Sequence, residues 1–580
     1  MCGIAGIISS QSILSNQVPK MIASMKHRGP DDEGFHHNKQ ISIGQSRLSI
    51  IDLSGGHQPM YSDDNTLVLA FNGEIYNYVE LRVDLIKKGY IFNTQSDSEV
   101  LIHLYKEYGK DMLDLLNGMF VFSIIDYNKE EVFFARDRIG IKPLYYFWKD
   151  GMFAFASEIQ GLTSIFEIKK NLTINMDAVW HYFSLLYIPQ PLTIYNELHV
   201  FPAGNYATVS FGAKNISIVE YWRPVINEKK YNSIEECADK LQALIYDAVK
   251  LRMRSDVPYG AYLSGGVDST MIVANMTNCS SDLLKTFTAR VHDSDLDEHE
   301  YALEASKKFG TIHTIIDVHD IDFDTMAHLI SFFGQPFADS SIFPTYLISK
   351  KIRGYVTVVL GGDGGDELFS GYDKYSALLE DDSDVTVKKS FINRVPDEIK
   401  EQLFTKKFLA KKKKDTYSFL CSHTHNQNYK GHDLMRFLDV EYFLKSDILE
   451  KVDHMSMANS LEARVPLLDH RIIEFALGIP NKFLVSKTRN KVLLKHLLER
   501  QMSKEFVNRQ KIGFMLPIAS WLRDFSDNIL DLPCVSELEH VFDKEALSNM
   551  IRDYKQGDDK YGNILFAYIV FCYWTSLHTF

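Results

Sequence analysis

The chain has 580 residues, too many for one hydrophobic core, so two to four domains are expected. Hydrophobic residues make up 45% and charged residues 24%, an ordinary balance for a water-soluble globular protein. The formal net charge of -13 argues against a nucleic-acid partner, whose phosphates would be repelled, but not against ATP held locally by Mg²⁺ and a few amines.

The 6 cysteines are scattered, with no C-x-x-C pair, so neither a zinc site nor a disulfide framework is indicated. That usage fits a reducing cytosol. No basic stretch followed by a long apolar run opens the chain, so no secretory signal is expected. The apolar run Ile564 to Trp574 is shorter than the roughly 20 residues of a membrane helix and reads as a buried C-terminal helix. A cytoplasmic protein with no membrane partner is expected.

In chain order, MCGIAGIIS places Cys2 before a short apolar strand. LVLAF, MFVFSIIDY, EVFFARD and MFAFASE follow as further strands, and turn signals stand at Asn128-Lys129 and Asp150-Gly151. MFVFSIIDY and EVFFARD are spaced as a hairpin, which predicts an antiparallel sheet. SDSEVLIHLYKEYG predicts a helix capped by Ser96, with Val100, Leu101, Leu104 and Tyr105 on one face. The polar stretch from Tyr221 to Ser233 marks a domain boundary, giving domains 2–215 and 230–580. Beyond it, IEECADKLQALIYDAVKLRM, YGAYL, TMIVANM and TVVL alternate helix with strand, the pattern of a parallel sheet covered on both faces. The lysines from Lys406 to Asp415 read as a solvated face rather than an anion patch.

Removal of Met1 would give Cys2 a thiol and a free α-amine, whose pKa of about 8 suits the base an N-terminal nucleophile needs. MCGIAGI alone also fits a buried cysteine in an edge strand. Its company favours the reactive reading. Arg47 offers a planar fork for a carboxylate, and Asn72 and Gly73 follow a strand and can form an oxyanion hole. Asp97 can receive a substrate ammonium, although a charge at a helix N-terminus is its plainer reading. Together they describe a site that hydrolyses the side-chain amide of glutamine.

MCGIAG, HRGPDDEG, RLSIIDLSGGHQPM, FNGEIYNY, SDSEV and ARDRIGIKPLYY, in that order, resemble the glutaminase domain of class II glutamine amidotransferases. The resemblance implies a four-layer αββα N-terminal-nucleophile domain. It implies Cys2 as nucleophile, Asn72 and Gly73 as oxyanion hole, and Arg47, Glu74 and Asp97, with Asn72 and Gly73, as the glutamine-binding set. His27 and Arg28 are assigned a structural or hinge role beside the site.

In the second half, YGAYLSGGVDST is a strand, a glycine-rich loop and a helix start, fit to meet a phosphate with backbone N–H groups. It lacks the Walker A lysine. Leu263, Ser264, Gly265, Gly266, Asp268 and Ser269 match instead a pyrophosphate loop that splits ATP between its α and β phosphates. In VTVVLGGDGGDELFSGY, Gly361 and Gly362 extend the ATP site, and Asp363 and Asp366 end a strand where ligands collect in open α/β sheets. Asp268 and Asp366 are the candidates for Mg²⁺, while Asp366 and Glu367 also read as helix-capping acids. Lys511 in RQKIGF is the cation expected to stabilise charge during adenylation.

SGGVDS, GGDGGDELFSGY, KVDHMSMANSLEARVPLLDHRIIEFA and RQKIGF resemble the synthetase domain of glutamine-hydrolysing asparagine synthetases. The likeness covers nearly the whole chain and is weakest from about Ala377 to Phe443. It implies a parallel-sheet α/β ATP-pyrophosphatase domain with additional helices, so that the chain combines α/β and α+β classes. It further implies glutamine, aspartate and ATP as substrates, adenylation of the aspartate side chain, and ammonia carried internally from Cys2. Homodimers are common in the family. Many members carry glutamate where this loop has Asp363, the expected acid-base carboxylate. A bacterial branch shares the aspartate and includes enzymes amidating other carboxylates, so an envelope sugar acid or peptidoglycan precursor stands as the alternative acceptor. Arg464 reads equally as a carboxylate partner or as part of a buried ion pair.

Overall fold

The computed structural model describes residues 2–13, 15–227, 231–280, 282–291, 298–318, 323–411, 415–422, 428–509, 522–523, 529–530, 532 and 540–577. Its first half contains strands β1 (Gly3–Ser9), β2 (Asp32–His37), β3 (Ile41–Arg47), β4 (Met60–Tyr61), β5 (Leu67–Ile75), β6 (Gly118–Asp126), β7 (Glu131–Arg136), β8 (Tyr145–Lys149), β9 (Met152–Ala156), β10 (Leu198–Val200), β11 (Asn205–Ser210) and β12 (Ile216–Glu220). They form two antiparallel six-stranded sheets, ordered β10-β8-β9-β1-β3-β2 and β12-β11-β7-β6-β5-β4.

Side-chain alternation along the strands explains the layers. In β1, Ile4 and Ile8 face the second sheet, while Ala5 and Ile7 face the helix Gln17–Ala23. In β5 and β6, Val68, Ala70, Val121 and Ile125 fill the space between sheets, whereas Leu69, Phe71, Phe120 and Phe122 pack under the helix Asp97–Tyr108. Helix, sheet, sheet and helix thus stack as the expected αββα sandwich.

The hairpins follow local chemistry. Between β6 and β7, the Asp126 carboxylate accepts the N–H groups of Asn128 and Lys129 at 3.0 and 3.1 Å. Between β8 and β9, Asp150 and Gly151 both adopt positive φ (52° and 73°), the conformation that matches strand twist in a two-residue turn. The helix Asp97–Tyr108 begins where the Ser96 side chain accepts the Ser98 N–H at 3.2 Å.

The second half holds a five-stranded parallel sheet of β13 (Tyr259–Tyr262), β14 (Lys285–Val291), β15 (Ile312–Val318), β16 (Val358–Leu360) and β17 (Glu462–Arg464), in the order β15-β14-β13-β16-β17. β13 pairs with both β14 and β16, so strand order reverses there. A reversal opens a crevice at the carboxyl ends of the two central strands, and both glycine-rich loops leave from it. Many helices surround the sheet. The apolar run near the C-terminus is the helix Gly562–Leu577, buried from Ile564 to Thr575 and tied back through Trp574 Nε1 to the Gly334 carbonyl at 3.1 Å. Among the described residues no helix is long and apolar enough to cross a membrane.

Phe134 is fully buried between the two sheets, its ring 4.8 Å from that of Phe155 and 5.3 Å from that of Phe153. Phe134→Ala is expected to cost the sandwich about 3–5 kcal/mol, measured as a shift in its urea unfolding midpoint.

Candidate active sites

Cys2 precedes β1 and is buried, with 7% of its surface exposed. Its backbone N–H donates to Asn72 Oδ1 at 3.0 Å, joining the start of β1 to β5 across the sandwich. This bond fixes the Asn72 amide, and Nδ2 is left buried without a hydrogen-bond partner. A buried, unpaired donor is costly unless something else uses it. Here it belongs to the side chain that holds the Cys2 backbone. A side chain at Gly73 would stand 2.1 Å from the Met119 carbonyl oxygen, so the tight sheet packing admits only glycine. Burial pushes the Cys2 thiol above its ordinary pKa, opposed by the Leu48 N–H, Arg47 and Gln45, so the group requires a base to ionise at neutral pH.

Arg47 ends β3 and donates to the carbonyls of Ile51, Asp52 and Leu53 at 3.1, 2.8 and 3.3 Å. Asp97 opens its helix and accepts the Ile75 N–H at 2.9 Å. Burial lifts the Asp97 carboxyl to about 6 despite that bond, with Glu462 adding to the lift and Arg464 opposing it. Glu74 is raised as well, by burial first and then by Glu462 and Asp97. Cys2, Arg47, Asn72, Gly73, Glu74 and Asp97 therefore meet at one end of the sandwich, facing the second half.

Arg28 is fully buried at that junction. It donates to the Cys2 carbonyl at 3.1 Å, to Glu158 at 2.8 Å and to Asp453 at 2.7 Å. Lys142 reaches the other oxygen of Asp453 at 3.0 Å, and Ser460 Oγ donates to the His27 carbonyl at 2.7 Å. His27 and Arg28 thus hold the start of β1, next to Cys2, against the second half.

The other site lies in the crevice between β13 and β16. Leu263 directly follows β13 and is buried, Ser264 Oγ and Ser269 Oγ are 3.1 Å apart, and Gly265 has φ +73°. Gly266 caps the helix Val267–Cys279, whose first turn carries Asp268 and Ser269. The second loop packs against the first. A side chain at Gly362 would lie 2.8 Å from both Asp268 Cβ and the Ser269 nitrogen, and one at Gly365 would lie 2.4 Å from Asp268 Oδ1. Gly361 N–H donates to the Arg464 carbonyl at 2.8 Å, anchoring the loop to β17.

Between the two acids stands a residue the sequence patterns did not mark. Lys491 forms an ion pair with Asp268 and another with Asp366 at 2.7 Å. It sits at the N-cap of the helix Val492–Leu498 in a left-handed backbone conformation (φ 52°, ψ 39°). RNKVLLKH reads as one lysine among several, and only a positive φ invisible in sequence aims this one inward. Lys451 is a second such residue, bound to Asp339 at 3.0 Å. Burial alone would lower its ammonium, but Asp339, Asp447 and, more weakly, Asp363 hold it above the usual lysine value. Lys511 lies outside the described residues.

Asp268 Oδ1 is buried with no hydrogen-bond partner. Two carboxylates and such an oxygen suit Mg²⁺, which takes one or two protein oxygens and completes its shell with water and phosphate. Among the described residues no group of three or more His, Cys, Asp or Glu side chains that could hold a metal ion is present. Arg464 is fully buried and pairs with Glu462 at 2.6 Å and Glu74 at 3.6 Å, which settles its two readings in favour of the ion pair.

A buried thiol on a strand start held by the Asn72 amide, and a double glycine loop with two acids in the other half, fit a two-part amidotransferase. The family model described as glutamine amidotransferase domain matches residues 1–222, and that described as asparagine synthase matches residues 240–576. Glutamine-hydrolysing asparagine synthetase 1 of Bacillus subtilis (strain 168) is 30% identical across 100% of this chain and 97% of its own length. A putative glutamine-hydrolysing asparagine synthetase of Mycobacterium tuberculosis (strain ATCC 25618 / H37Rv) shows the same identity and coverage. Putative asparagine synthetase 2 of Methanocaldococcus jannaschii is 40% identical over 64% of this chain and 76% of its own. The chain belongs to the glutamine-hydrolysing asparagine synthetase family.

Lys491→Met removes the cation shared by Asp268 and Asp366. It is expected to lower stability by about 2–3 kcal/mol, less than for a sealed ion pair because the crevice admits water. Thermal unfolding without nucleotide measures it.

Proposed function

We propose that this protein makes asparagine from aspartate, taking nitrogen from glutamine and splitting ATP to AMP and pyrophosphate in the cytoplasm. The observation that carries the glutaminase half is the Asn72 amide, whose oxygen holds Cys2 and whose nitrogen has no partner. With Met1 removed, the Cys2 amine takes the thiol proton and the sulfur attacks the glutamine side-chain carbonyl. Asn72 Nδ2 and the Gly73 N–H receive the oxyanion as it forms. Arg47 binds the substrate carboxylate, and Asp97 with Glu74 receives its ammonium. Collapse of the tetrahedral intermediate expels ammonia, and water then releases glutamate from the thioester.

In the other half, the loop from Ser264 to Ser269 and the N-terminus of its helix cradle the phosphates. Asp268 and Asp366 would hold Mg²⁺, which neutralises phosphate charge when bound. Lys491, and Lys511 beyond it, stabilise the charge that gathers on phosphorus as the aspartate side chain attacks the α-phosphate to give β-aspartyl-AMP. Asp363, near the Lys451 ammonium, takes a proton from ammonia as it attacks the adenylate. Ammonia is useful only unprotonated, so an enclosed passage across the buried junction preserves its lone pair.

Purified protein given glutamine, ATP and aspartate should form AMP and asparagine, and no AMP above an aspartate-free control rejects aspartate as acceptor. Cys2→Ala should abolish glutamine use while leaving ammonium-driven synthesis within about twofold; joint loss in a folded variant rejects the two-site reading. A carboxyl raised to about 6 is neutral below that pH, so Asp97 then loses the charge that receives the ammonium. kcat/KM for glutamine, followed by glutamate release, should therefore fall as pH drops through 6; a flat profile to pH 5 excludes this role.

A further inference from the structure

Arg47 and Glu74 are both held from the synthetase half, by one continuous piece of chain. The loop of carbonyls that grips Arg47 is fastened to Asp256. The Asp256 N–H donates to the Ile50 carbonyl at 3.0 Å, and the Asp256 carboxylate accepts the Asp52 N–H at 2.8 Å. Glu74 faces Arg464 at 3.6 Å. Arg464 in turn donates through Nη1 to the carbonyls of Arg252 and Arg254 at 2.8 and 2.6 Å, gripping the segment that ends in Asp256. Arg254 adds contacts to the Tyr76 carbonyl at 2.5 Å and to Glu80 at 2.5 and 2.7 Å.

The same Arg464 accepts the Gly361 N–H on its own carbonyl at 2.8 Å. Gly361 begins the second glycine loop. One buried residue therefore touches the nucleotide loop through its backbone and the glutamine pocket through its side chain. Its planar fork reaches Glu462, two carbonyls and Glu74 together, which the single ammonium of a lysine does not reproduce.

We propose that Arg464 and Asp256 are positioning residues, forming a strut from the Gly361–Asp366 loop through residues 252–256 to Arg47 and Glu74. Through it a filled nucleotide site raises the affinity for glutamine. The inference rests on the glutaminase reading above but not on the identity of the acceptor. Movement of Gly361 on binding phosphate shifts the end of β17, and the guanidinium carries that shift to Glu74 and to the loop around Arg47. Displacements well below an ångström at a substrate clamp change rates measurably.

The test follows glutamate release by the full chain, with and without ATP and Mg²⁺, for the wild type, Arg464→Lys and Asp256→Ala. In the wild type the nucleotide should lower the glutamine KM. In both variants that KM should rise about tenfold with kcat within about twofold, the nucleotide effect should vanish, and ammonium-driven AMP formation should stay within about twofold. A wild-type KM indifferent to nucleotide, unchanged KM values in both variants, or a matching loss of ammonium-driven synthesis overturns the strut. Asp256 is exposed, so Asp256→Ala decides alone if Arg464→Lys does not fold. A wild type that releases glutamate but forms no AMP with aspartate defeats the acceptor assignment and leaves the strut standing; one that releases no glutamate defeats the glutaminase reading itself.

Discussion

Charge buried at the junction of the two halves is the constraint on which the rest of the molecule depends. Asp453 receives both Arg28 and Lys142, and Arg28 spends its remaining donors on Glu158 and on the carbonyl of Cys2. None of these groups reaches solvent to any useful degree. Ions in such a place are tolerated only with their partners in register, because an unpaired one costs several kcal/mol. Apolar surfaces could have joined the halves more strongly but with less definition. The charged joint instead ties the two halves through specific partners, and the strand that begins beside Cys2 is part of it.

A second constraint acts on each site separately. The glutaminase pocket places a protonated thiol, an amide with a spare donor and two raised carboxyls in a dry corner, so its chemistry waits for substrate charge to complete it. The synthetase crevice is the opposite case, rich in carboxylates and lysines and open at the point where strand order reverses. On the proposed function, one site takes a neutral amide and the other a polyanion. Their different solvation explains why a single chain keeps them apart and why the buried junction lies between them.

Much of this was legible in the sequence. The short apolar runs LVLAF and MFVFSIIDY read as strands, and Asn128-Lys129 and Asp150-Gly151 read as turns. Both glycine-rich loops stood out because their glycines and acids are adjacent in the chain. What escaped was set by distance. Arg28 and Asp453 are 425 positions apart, and no local pattern says that one neutralises the other. Lys491 escaped for a different reason, since its inward aim depends on a left-handed backbone angle that its neighbours do not advertise. Arg464 was legible as part of a possible ion pair, yet only the fold shows that, besides Glu462 on its own strand, it faces Glu74 of the other half. The role given to Lys511 rests on its motif, since that residue lies outside the described segments.

Lys491, clasped between Asp268 and Asp366, acts as a resident counter-ion. A stray divalent ion approaching this pair meets an ammonium already in possession and gains little by displacing it. On the reading proposed above, a nucleotide would change the terms, because its phosphates would offer the lysine a new anion. The two acids would then be released to serve a metal only when the nucleotide is present.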